Sequence, residues 1–445
     1  MTPSAASLAA VLGLPAPARD FPLARLSIDS RSLPPGSAFL ALDGRHHRGV
    51  EFLPAAAAAG AVGAIVGREA LPPEALHQNA PPDLPLLLVP DPVAALVALG
   101  QLKRAASRAR FIGITGSNGK TSTKEMLAFV LAGVGRTSAT RGNLNNHLGV
   151  PLTLANLAGD EDFVVIEMGA NHPGEIAPLA AQVRPELGLV TTVAPAHLEG
   201  FGSLQGVIET KEALLDAASR IVLSWELPAA ALNRWRSRYR AKLAYSYGFD
   251  RHADIHWLGG DAQRFLARDR HQTIAIDWAC YGRHNQLNGL AVIALVEALG
   301  LDGQIAGRLR DFQMSSGGRF AAKRFGCHWL IDDSYNANPA SFAAALQTLA
   351  GFAAAERVVY AGAMGELGPD SAAQHRLVAD LAASLGLTLI PVGTDAYGRP
   401  GLSKAAAAAD LRARLQSSRP SALLLKGSRS AALETLLTDL PLPPH

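Results

Sequence analysis

Residues 113–121 of the chain read Gly-Ile-Thr-Gly-Ser-Asn-Gly-Lys-Thr, after an apolar run at 111–114 and before a helical pattern at 122–131. This order predicts a strand, a phosphate-binding loop and a helix. Glycines let backbone N–H groups turn toward phosphate oxygens, a lysine supplies charge near the β- and γ-phosphates, and a threonine hydroxyl binds Mg²⁺. Ile114 stands where the strict motif has glycine, so the match is to the shorter Gly-x-x-Gly-Lys-Thr form. The pattern predicts a nucleoside triphosphate site that contains Gly116, Ser117, Asn118, Gly119, Lys120, Thr121 and Ser122.

Length and composition indicate a globular protein with several domains. The chain has 445 residues, of which 49% are hydrophobic and 18% are charged, and its net charge is +3. This near balance of charge predicts neither a nucleic-acid partner nor an anionic membrane partner. Cys280 and Cys327 have no metal-ligand or disulfide-framework spacing, so a reducing, cytoplasmic location is expected. The N-terminal sequence is a poor secretory signal, and no apolar run reaches the length of a membrane span.

The order of apolar runs and helical patterns predicts an α/β protein of three domains. Residues 1–106 are predicted to form a smaller N-terminal α/β domain of short strands and helices. Residues 107–315 alternate strands with helices around the phosphate loop, which predicts a mostly parallel sheet with hairpins at its margin near 252–279. Residues 316–445 show the same alternation without a phosphate loop, which predicts a C-terminal Rossmann-like domain.

Three titratable residues follow predicted strands downstream of the phosphate loop. Glu167 ends the strand at 163–167, where a carboxylate either holds the metal that bridges a triphosphate or is an ordinary surface glutamate. His197 follows the strand at 187–193, and its position leaves metal ligation and a plain loop histidine equally open. Lys211 lies on a predicted helix, where a solvated charge is the commoner role and a lysine near a metal is the alternative.

Two further polar segments lie beside predicted elements. Residues 282–288 (Gly-Arg-His-Asn-Gln-Leu-Asn) open a helix, so their side chains either cap its free N–H groups or reach a base. Residues 332–339 (Asp-Asp-Ser-Tyr-Asn-Ala-Asn-Pro) follow a strand of the third domain. They form either an elaborate turn or a nucleotide or substrate contact at the carboxyl end of the strand.

Together these segments resemble the Mur ligase family, and their order matches that family over residues 25–435. Within the family, several motifs are similar to the member that adds the terminal dipeptide. They are residues 142–146 (Gly-Asn-Leu-Asn-Asn), 167–171 (Glu-Met-Gly-Ala-Asn), 332–339, 364–368 (Met-Gly-Glu-Leu-Gly) with His375, and 425–429 (Leu-Lys-Gly-Ser-Arg). The segment 332–339 discriminates most specifically against sister ligases.

The resemblance implies catalytic and nucleotide-site roles. The implied catalytic residues are Lys120, Glu167, His197 and Lys211, with Lys120 on the β- and γ-phosphates. Two Mg²⁺ ions are implied, one held by Thr121 and Glu167 and a second by His197 and Lys211. Lys211 matches the lysine that the family carbamylates, a reaction in which CO₂ converts the amine into a carboxylate-like group. Asn285 and Asn288 would frame the adenine of ATP, and Arg319 and Asp333 would reach the nucleotide after domain closure.

The resemblance also implies substrate contacts and a reaction. The implied substrate-binding residues are Asp29, Ser30, Arg31, Asn145, Asn146, Asn336 and Asn338, of which the first five would bind the uridine diphosphate end. The implied partners are UDP-N-acetylmuramoyl-tripeptide and D-alanyl-D-alanine, which would be joined at the expense of ATP through an acyl phosphate. A monomer is expected.

Two departures from the family pattern limit these assignments. Ala363 stands where the family usually has aspartate, so any role of that acid is lost or relocated. Residues 48–52 read Arg-Gly-Val-Glu-Phe in place of the usual Asp-Gly-His-Asp-Phe, which weakens residue-level expectations for the first domain. Other functions remain open: a sister ligase that adds the third amino acid, a folate polyglutamate ligase, a P-loop ATPase without ligation, and a catalytically silent binding protein.

Overall fold

The computed structural model describes residues 2–44, 46–68, 80–195, 198–261, 264–278, 281–314, 317–438 and 440. Contacts within the chain divide it into two compact units. One contains Met1–Gly113, Gly135–Met168 and Pro178–Glu186, and the other contains Ile114–Val134, Gly169–Ala177 and Leu187–His445. His197 and Cys280, both singled out in the sequence, lie outside the described residues.

The first sheet has four parallel strands in sequence order: β1 (Leu26–Ser27), β2 (Ala38–Leu40), β3 (Gly63–Gly67) and β4 (Leu86–Val89). The helices in this part of the chain are α1 (Ala5–Val11), α2 (Leu53–Ala58) and α3 (Pro92–Ala106). Asp91 accepts a hydrogen bond from the Val93 N–H and so caps α3, which proline at its first position also favours. The sequence analysis missed β1 because two residues are too short to show a periodic pattern.

The second sheet has nine strands in the order β13-β12-β11-β10-β9-β8-β5-β7-β6. They are β5 (Arg110–Thr115), β6 (Thr137–Ala139), β7 (Phe163–Glu167), β8 (Leu187–Val190), β9 (Arg220–Ser224), β10 (Leu243–Gly248), β11 (Ile255–Gly260), β12 (Arg264–Arg268) and β13 (Thr273–Asp277). Strands β8 to β11 pair in parallel, whereas β11, β12 and β13 pair antiparallel at the edge. This confirms the hairpins predicted from the alternating pattern near 252–279.

The helices between these strands begin with α4 (Lys120–Leu131), which follows the phosphate loop directly. The others are α5 (Gly149–Ala155), α6 (Ile176–Val183), α7 (Leu198–Phe201), α8 (Leu204–Ala217), α9 (Ala229–Arg238) and α10 (Arg283–Ala298). Almost every residue of α10 from Asn285 to Ala298 is buried, so this helix is enclosed on all sides rather than amphipathic.

The third sheet has the order β14-β15-β18-β16-β17, with β14 antiparallel and the other strands parallel. Its strands are β14 (Ala321–Phe325), β15 (His328–Asp333), β16 (Glu356–Ala361), β17 (Thr388–Pro391) and β18 (Ser421–Lys426), and its helices are α11 (Pro339–Ala350), α12 (Ser371–Ser384) and α13 (Lys404–Gln416). One apolar cluster contains Phe342 and Val378, and a second contains Leu411 and Leu433. Apolar residues therefore cover both faces of this sheet, as in doubly wound folds.

The sequence analysis did not predict β14, because this edge strand exposes Lys323 and Arg324 and lacks an apolar run. The α/β class, with a parallel-rich central sheet between an N-terminal and a C-terminal α/β part, is confirmed. The residue boundaries proposed for the three domains remain predictions. Of the helices in the described ranges, none combines the length and the apolar composition that a bilayer crossing requires.

The segment that carries β1 is held by two polar side chains. The Leu26 N–H donates to Asn156 Oδ1 (2.9 Å), and Asn156 Nδ2 donates to the Leu26 carbonyl (3.0 Å). Lys103 Nζ donates to the carbonyls of Ala24 (2.7 Å) and Leu157 (3.1 Å). Burial lowers the pKa of this lysine to about 8. The side-chain amide of Asn156 thus pairs with the backbone N–H and carbonyl of Leu26, as a neighbouring strand would.

Replacing Asn156 with alanine should lower the free energy of unfolding by about 2 kcal/mol, because it leaves the buried N–H and C=O of Leu26 without partners. Urea denaturation followed by circular dichroism measures this change. Asn143→Ala, at an exposed asparagine, is the matched control and should stay within about 0.5 kcal/mol of the parent. Equal effects of the two variants would show that the amide of Asn156 does not hold this segment.

Candidate functional site

The phosphate loop adopts a backbone that only glycine allows at two positions. Gly116 has φ 149° and Gly119 has φ 82°. A Cβ atom at Gly116 would collide with Thr191 Oγ1, and one at Gly119 would lie 2.7 Å from Asn288 Oδ1. Helix α4 begins immediately afterwards, so its free N–H groups and the positive end of its dipole point into the loop. This arrangement is suited to binding an anion such as a phosphate.

The loop is fixed to the two threonines that follow β8. The N–H groups of Ser117 and Asn118 donate to the carbonyl and to Oγ1 of Thr192, each over 2.8 Å. Thr191 Oγ1 donates to the Asn118 carbonyl (2.6 Å). The roles of Thr191 and Thr192 were not predicted from the sequence. The signal that could have indicated them is a pair of threonines just after a buried strand. These bonds give the loop a defined shape.

Lys120 and Thr121 begin α4 at the end of the loop. Lys120 Nζ donates to the Gly116 carbonyl (2.7 Å), so its ammonium group lies over the loop. The Thr121 and Ser122 side chains are 2% and 9% exposed. A lysine, two hydroxyls and turned backbone N–H groups form the donor set that a triphosphate requires.

Lys211 is buried in α8, with 3% of its surface exposed. Burial, with repulsion from Lys120 as the smaller cause, lowers its pKa to about 7. Its Nζ lies 5.8 Å from the centre of the Phe201 ring. The amine is therefore placed where its neutral form is readily populated, unlike a solvated helix lysine.

Asn285 and Asn288 lie inside α10 and are each 7% exposed. Asn285 Nδ2 donates to the Tyr281 carbonyl (3.1 Å), and Asn288 Nδ2 donates to Asn285 Oδ1 (3.3 Å). Gly282, from which the helix begins, has no side chain to cap it, and the bonds of the two amides run to the Tyr281 carbonyl and to each other. The close approach of Asn288 to Gly119 puts this amide pair beside the phosphate loop.

The segment 332–339 combines a turn with long-range contacts. Asp332 Oδ1 accepts from the Ser334 N–H and hydroxyl, and Asn338 Oδ1 accepts from the Ser341 N–H and caps α11. Asn338 Nδ2 donates to Asn118 Oδ1 of the phosphate loop (2.8 Å). The segment is therefore a capped turn, as one interpretation of the sequence has it, and it also contacts the phosphate loop; a contact with nucleotide or substrate remains a prediction.

Asp333 is paired inside the C-terminal sheet. Its Oδ2 accepts from Lys426 Nζ (2.6 Å), and its Oδ1 accepts from the Phe320 N–H (3.1 Å). Burial raises the pKa of the Asp333 carboxyl, and Lys426 opposes this rise. The side chain of Lys426, at the end of β18, is 2% exposed and also donates to the Asn336 carbonyl. Residues 425–429 were recognised from the sequence as a motif, but the ion pair between Lys426 and Asp333 was not predicted.

Arg319 lies beside Tyr335, with its guanidinium carbon 4.0 Å from the ring centre. Its Nε atom is buried and has no hydrogen-bond partner among the described residues. A buried donor without a partner costs about 1–3 kcal/mol. This N–H is therefore suited to donate a hydrogen bond to an anionic or carbonyl group.

In the other unit, Glu167 ends β7 and is 1% exposed. Asn145 Nδ2 donates to Glu167 Oε1 (2.6 Å), and the Glu167 N–H donates to Thr140 Oγ1 (3.0 Å). Asn146 Oδ1 accepts from the Gly149 N–H (3.0 Å) at the start of α5. Glu167 is thus a fixed, buried carboxylate and not a surface residue.

Asp29, Ser30 and Arg31 form a capped turn in the same unit. Arg31 Nε and one terminal nitrogen donate to the two Asp29 carboxylate oxygens (2.9 and 2.8 Å). The Arg31 side chain is 87% exposed. The guanidinium can therefore turn toward a ligand at little energetic cost.

Comparisons with known proteins agree with this architecture. The Mur ligase middle domain matches residues 114–296, and the Mur ligase glutamate ligase domain matches residues 318–440. The UDP-N-acetylmuramoyl-tripeptide–D-alanyl-D-alanine ligase of Escherichia coli (strain K12) is 35% identical over 443 residues, which cover 95% of this chain and 94% of that protein. The corresponding ligase of Haemophilus influenzae is 32% identical and covers 94% of this chain.

Solved structures show the same fold. The crystal structure of MurF from Acinetobacter baumannii has a TM-score of 0.85 and 29% identity, and the match covers 99% of both chains. The MurF ligase from Thermotoga maritima, solved in complex with ADP, has a TM-score of 0.76 at 24% identity over 93% of this chain. The resemblance inferred from the motifs is confirmed, and the chain belongs to the Mur ligase family.

Proposed function

We propose that this chain uses ATP to join UDP-N-acetylmuramoyl-tripeptide to D-alanyl-D-alanine through an amide bond. The observation that carries this proposal is the 35% identity, over almost the full length of both chains, to the Escherichia coli ligase named for this reaction. The geometry of the phosphate loop supports the use of ATP, because both glycines, Lys120 and the helix N-terminus are in place.

In the proposed mechanism, the terminal carboxylate of the tripeptide attacks the γ-phosphate of ATP, which gives an acyl phosphate and ADP. The amine of D-alanyl-D-alanine then attacks the acyl carbon, and phosphate leaves. Lys120 would turn from the Gly116 carbonyl to the β- and γ-phosphates and neutralise charge that develops during transfer. Asn285 and Asn288 would contact the adenine.

We propose Thr121 and Glu167 as ligands of one Mg²⁺ ion, and His197 with carbamylated Lys211 as ligands of a second. A threonine hydroxyl and a buried carboxylate are oxygen donors that suit this ion. Bound Mg²⁺ would neutralise charge on the transferring phosphoryl group. Asn145 donates to Glu167 and so holds the carboxylate in one orientation.

Carbamylation of Lys211 requires a neutral amine. With a pKa of about 7, about half of the Lys211 amines are neutral at pH 7, against fewer than about one in a thousand for an ordinary lysine. The carbamate would also remove the repulsion between Lys211 and Lys120, because it replaces a cation with an anion. Burial and charge therefore both support this modification.

Lys211→Ala should abolish ligation, and added short carboxylates such as acetate should restore part of it, because they replace the carbamate oxygens. In the parent protein, ¹³C nuclear magnetic resonance under ¹³CO₂ at fixed partial pressure should show a carbamate signal that grows as pH rises through 7. The growth follows from deprotonation of Lys211. A failure of rescue by every acid, together with no carbamate signal, would contradict the assignment.

We propose a division of the reaction among three parts of the chain. Residues 1–106 would bind the uridine end through Asp29, Ser30 and Arg31, aided by Asn145 and Asn146 from the central part. Residues 107–315 would bind ATP, and residues 316–445 would bring the dipeptide. In that last part Asn336 and Asn338 would contact substrate, and Arg319 and Asp333 would approach the nucleotide. The free donor of Arg319 and the exposed guanidinium of Arg31 support two of these roles.

A cytoplasmic location and a monomeric state remain predictions.

The test is phosphate release from ATP and Mg²⁺ with UDP-N-acetylmuramoyl-tripeptide, with and without D-alanyl-D-alanine. Release that requires both substrates and yields a UDP-linked pentapeptide is the expected result. Release that is indifferent to the dipeptide would favour a sister ligase or a plain ATPase.

A further inference from the structure

The phosphate loop and the C-terminal sheet are joined by a pair of asparagine side chains 220 residues apart in sequence. Asn338 Nδ2 donates to Asn118 Oδ1 over 2.8 Å, and Asn118 Nδ2 donates to Asn338 Oδ1 over 3.4 Å. Both bonds lie within one compact unit of the chain. Asn118 lies in the phosphate loop, and Asn338 is the residue from which α11 begins.

The orientation of Asn338 is set by its own helix. Its Oδ1 accepts from the Ser341 N–H (2.8 Å), and its N–H donates to Ser341 Oγ (3.0 Å). Because the amide oxygen is engaged as a helix cap, the amide nitrogen must point away from α11. That nitrogen is the group that reaches Asn118, so the cap orients the contact.

Asn118 is fixed by its backbone, and its side chain is free to serve the contact. Its N–H donates to Thr192 Oγ1, and its carbonyl accepts from the hydroxyls of Thr191 and Thr192. These bonds involve the backbone of Asn118 and not its side-chain amide. The side chain therefore projects from a rigid loop toward α11 without being needed to shape the loop.

An apolar contact joins the same two parts of the chain at another point. Tyr281, just before α10, stacks on Phe352 with a centroid distance of 5.1 Å and meets Trp329 edge-on at 5.5 Å. Both partners belong to the core of the C-terminal sheet or pack against it. This contact persists through small rotations because apolar packing is not directional. The asparagine pair, by contrast, requires one alignment.

We propose that Asn118 and Asn338 are positioning residues that hold the start of α11, and with it the segment 332–339, in register with the phosphate loop during catalysis. The inference rests on the proposed ligase function, in which that segment meets the nucleotide and the incoming amine. Asn118 would act through its contact with Asn338, with its backbone left to bind phosphate. For Asn338 this role takes the place of the direct substrate contact, because its side-chain amide is engaged by Ser341 and Asn118.

The size of the effect suits a contact that forms and breaks in each cycle. Two neutral hydrogen bonds that compete with water favour the aligned state by about five- to tenfold. A tighter link would slow product release, and a weaker one would leave the two parts unaligned. Single variants should therefore reduce turnover by a modest, measurable factor.

The test is a double-mutant cycle with Asn118→Ala, Asn338→Ser and the two combined. Serine keeps a helix cap for α11 but is too short to reach Asn118. Each single variant should lower kcat about fivefold and leave the KM for ATP within about twofold. The double variant should also be about fivefold slower, because either change removes the same contact. An effect near 25-fold, the product of the two, or unchanged single variants would overturn the proposal.

A second readout does not depend on ligation. Dyes on Cys327, which is exposed in the turn between β14 and β15, and on Arg251→Cys, in a Cys280→Ser background, report alignment by energy transfer. With AMP-PNP and Mg²⁺, each variant should reduce the population with the parent's transfer efficiency by about the same factor as kcat. If the variants lose this population but the parent protein ligates no dipeptide, the proposed function fails and the pair stands. If it ligates but all variants share its transfer efficiency, the pair fails and the function stands.

Discussion

Lys120→Ala should reduce the rate of ligation by roughly 10³-fold, because it removes the fixed positive charge from the phosphoryl-transfer site. Lys120 Nζ donates to the Gly116 carbonyl of the loop, in reach of phosphates bound there. Lys120 is the first residue of the helix that follows the loop. The measurement is phosphate release under saturating ATP and both acceptor substrates.

The control for this variant is Lys404→Ala. Lys404 also begins a helix, α13, but is exposed and lies far along the chain from the phosphate loop. It should leave turnover unchanged, and circular dichroism should show both variants folded. Turnover of Lys120→Ala within tenfold of the parent would remove the assignment of this loop to phosphate binding.

Lys426→Met should lower the free energy of unfolding by about 3–5 kcal/mol, because it leaves the carboxylate of Asp333 buried without its cation. The side chains of Lys426 and Asp333 are 2% and 16% exposed and Nζ is 2.6 Å from Oδ2, so solvent replaces the lost cation only in part. Thermal unfolding monitored by calorimetry should show the loss in the transition that contains the C-terminal sheet.

The double variant Asp333→Asn, Lys426→Met should recover much of this stability. Burial raises the pKa of the Asp333 carboxyl despite Lys426, so desolvation outweighs the attraction between the two charges. Removing both charges therefore costs less than removing one. A double variant as unstable as Lys426→Met would show that packing of the lysine stem, and not the unpaired charge, causes the loss.

The fold class and the phosphate loop were predictable from sequence because both rest on local patterns. Apolar runs that alternate with helical periodicity identify a parallel sheet, and glycines before Lys120 and Thr121 identify the loop. Glu167 could be placed at a strand end for the same reason. The burial of Glu167 and its hydrogen bond from Asn145 could not be predicted, since both depend on how residues 140–146 fold back onto β7.

The partners of the site residues depended on contacts that no local pattern encodes. Thr192 reaches Asn118 across 74 positions, Lys426 reaches Asp333 across 93, and Asn338 reaches Asn118 across 220. From sequence the segment 332–339 was either a turn or a ligand contact; the structure shows the turn and a bond to the phosphate loop that no pattern indicated.

The sequence by itself determined the α/β class, the anion-binding loop and the family, because these follow from the spacing of residues along the chain. The tertiary structure decided which side chains are buried and which are paired. The sequence shows Lys211 only as a lysine on a helix. The tertiary structure buries its amine and lowers the pKa to about 7, since only packing removes water from a charge.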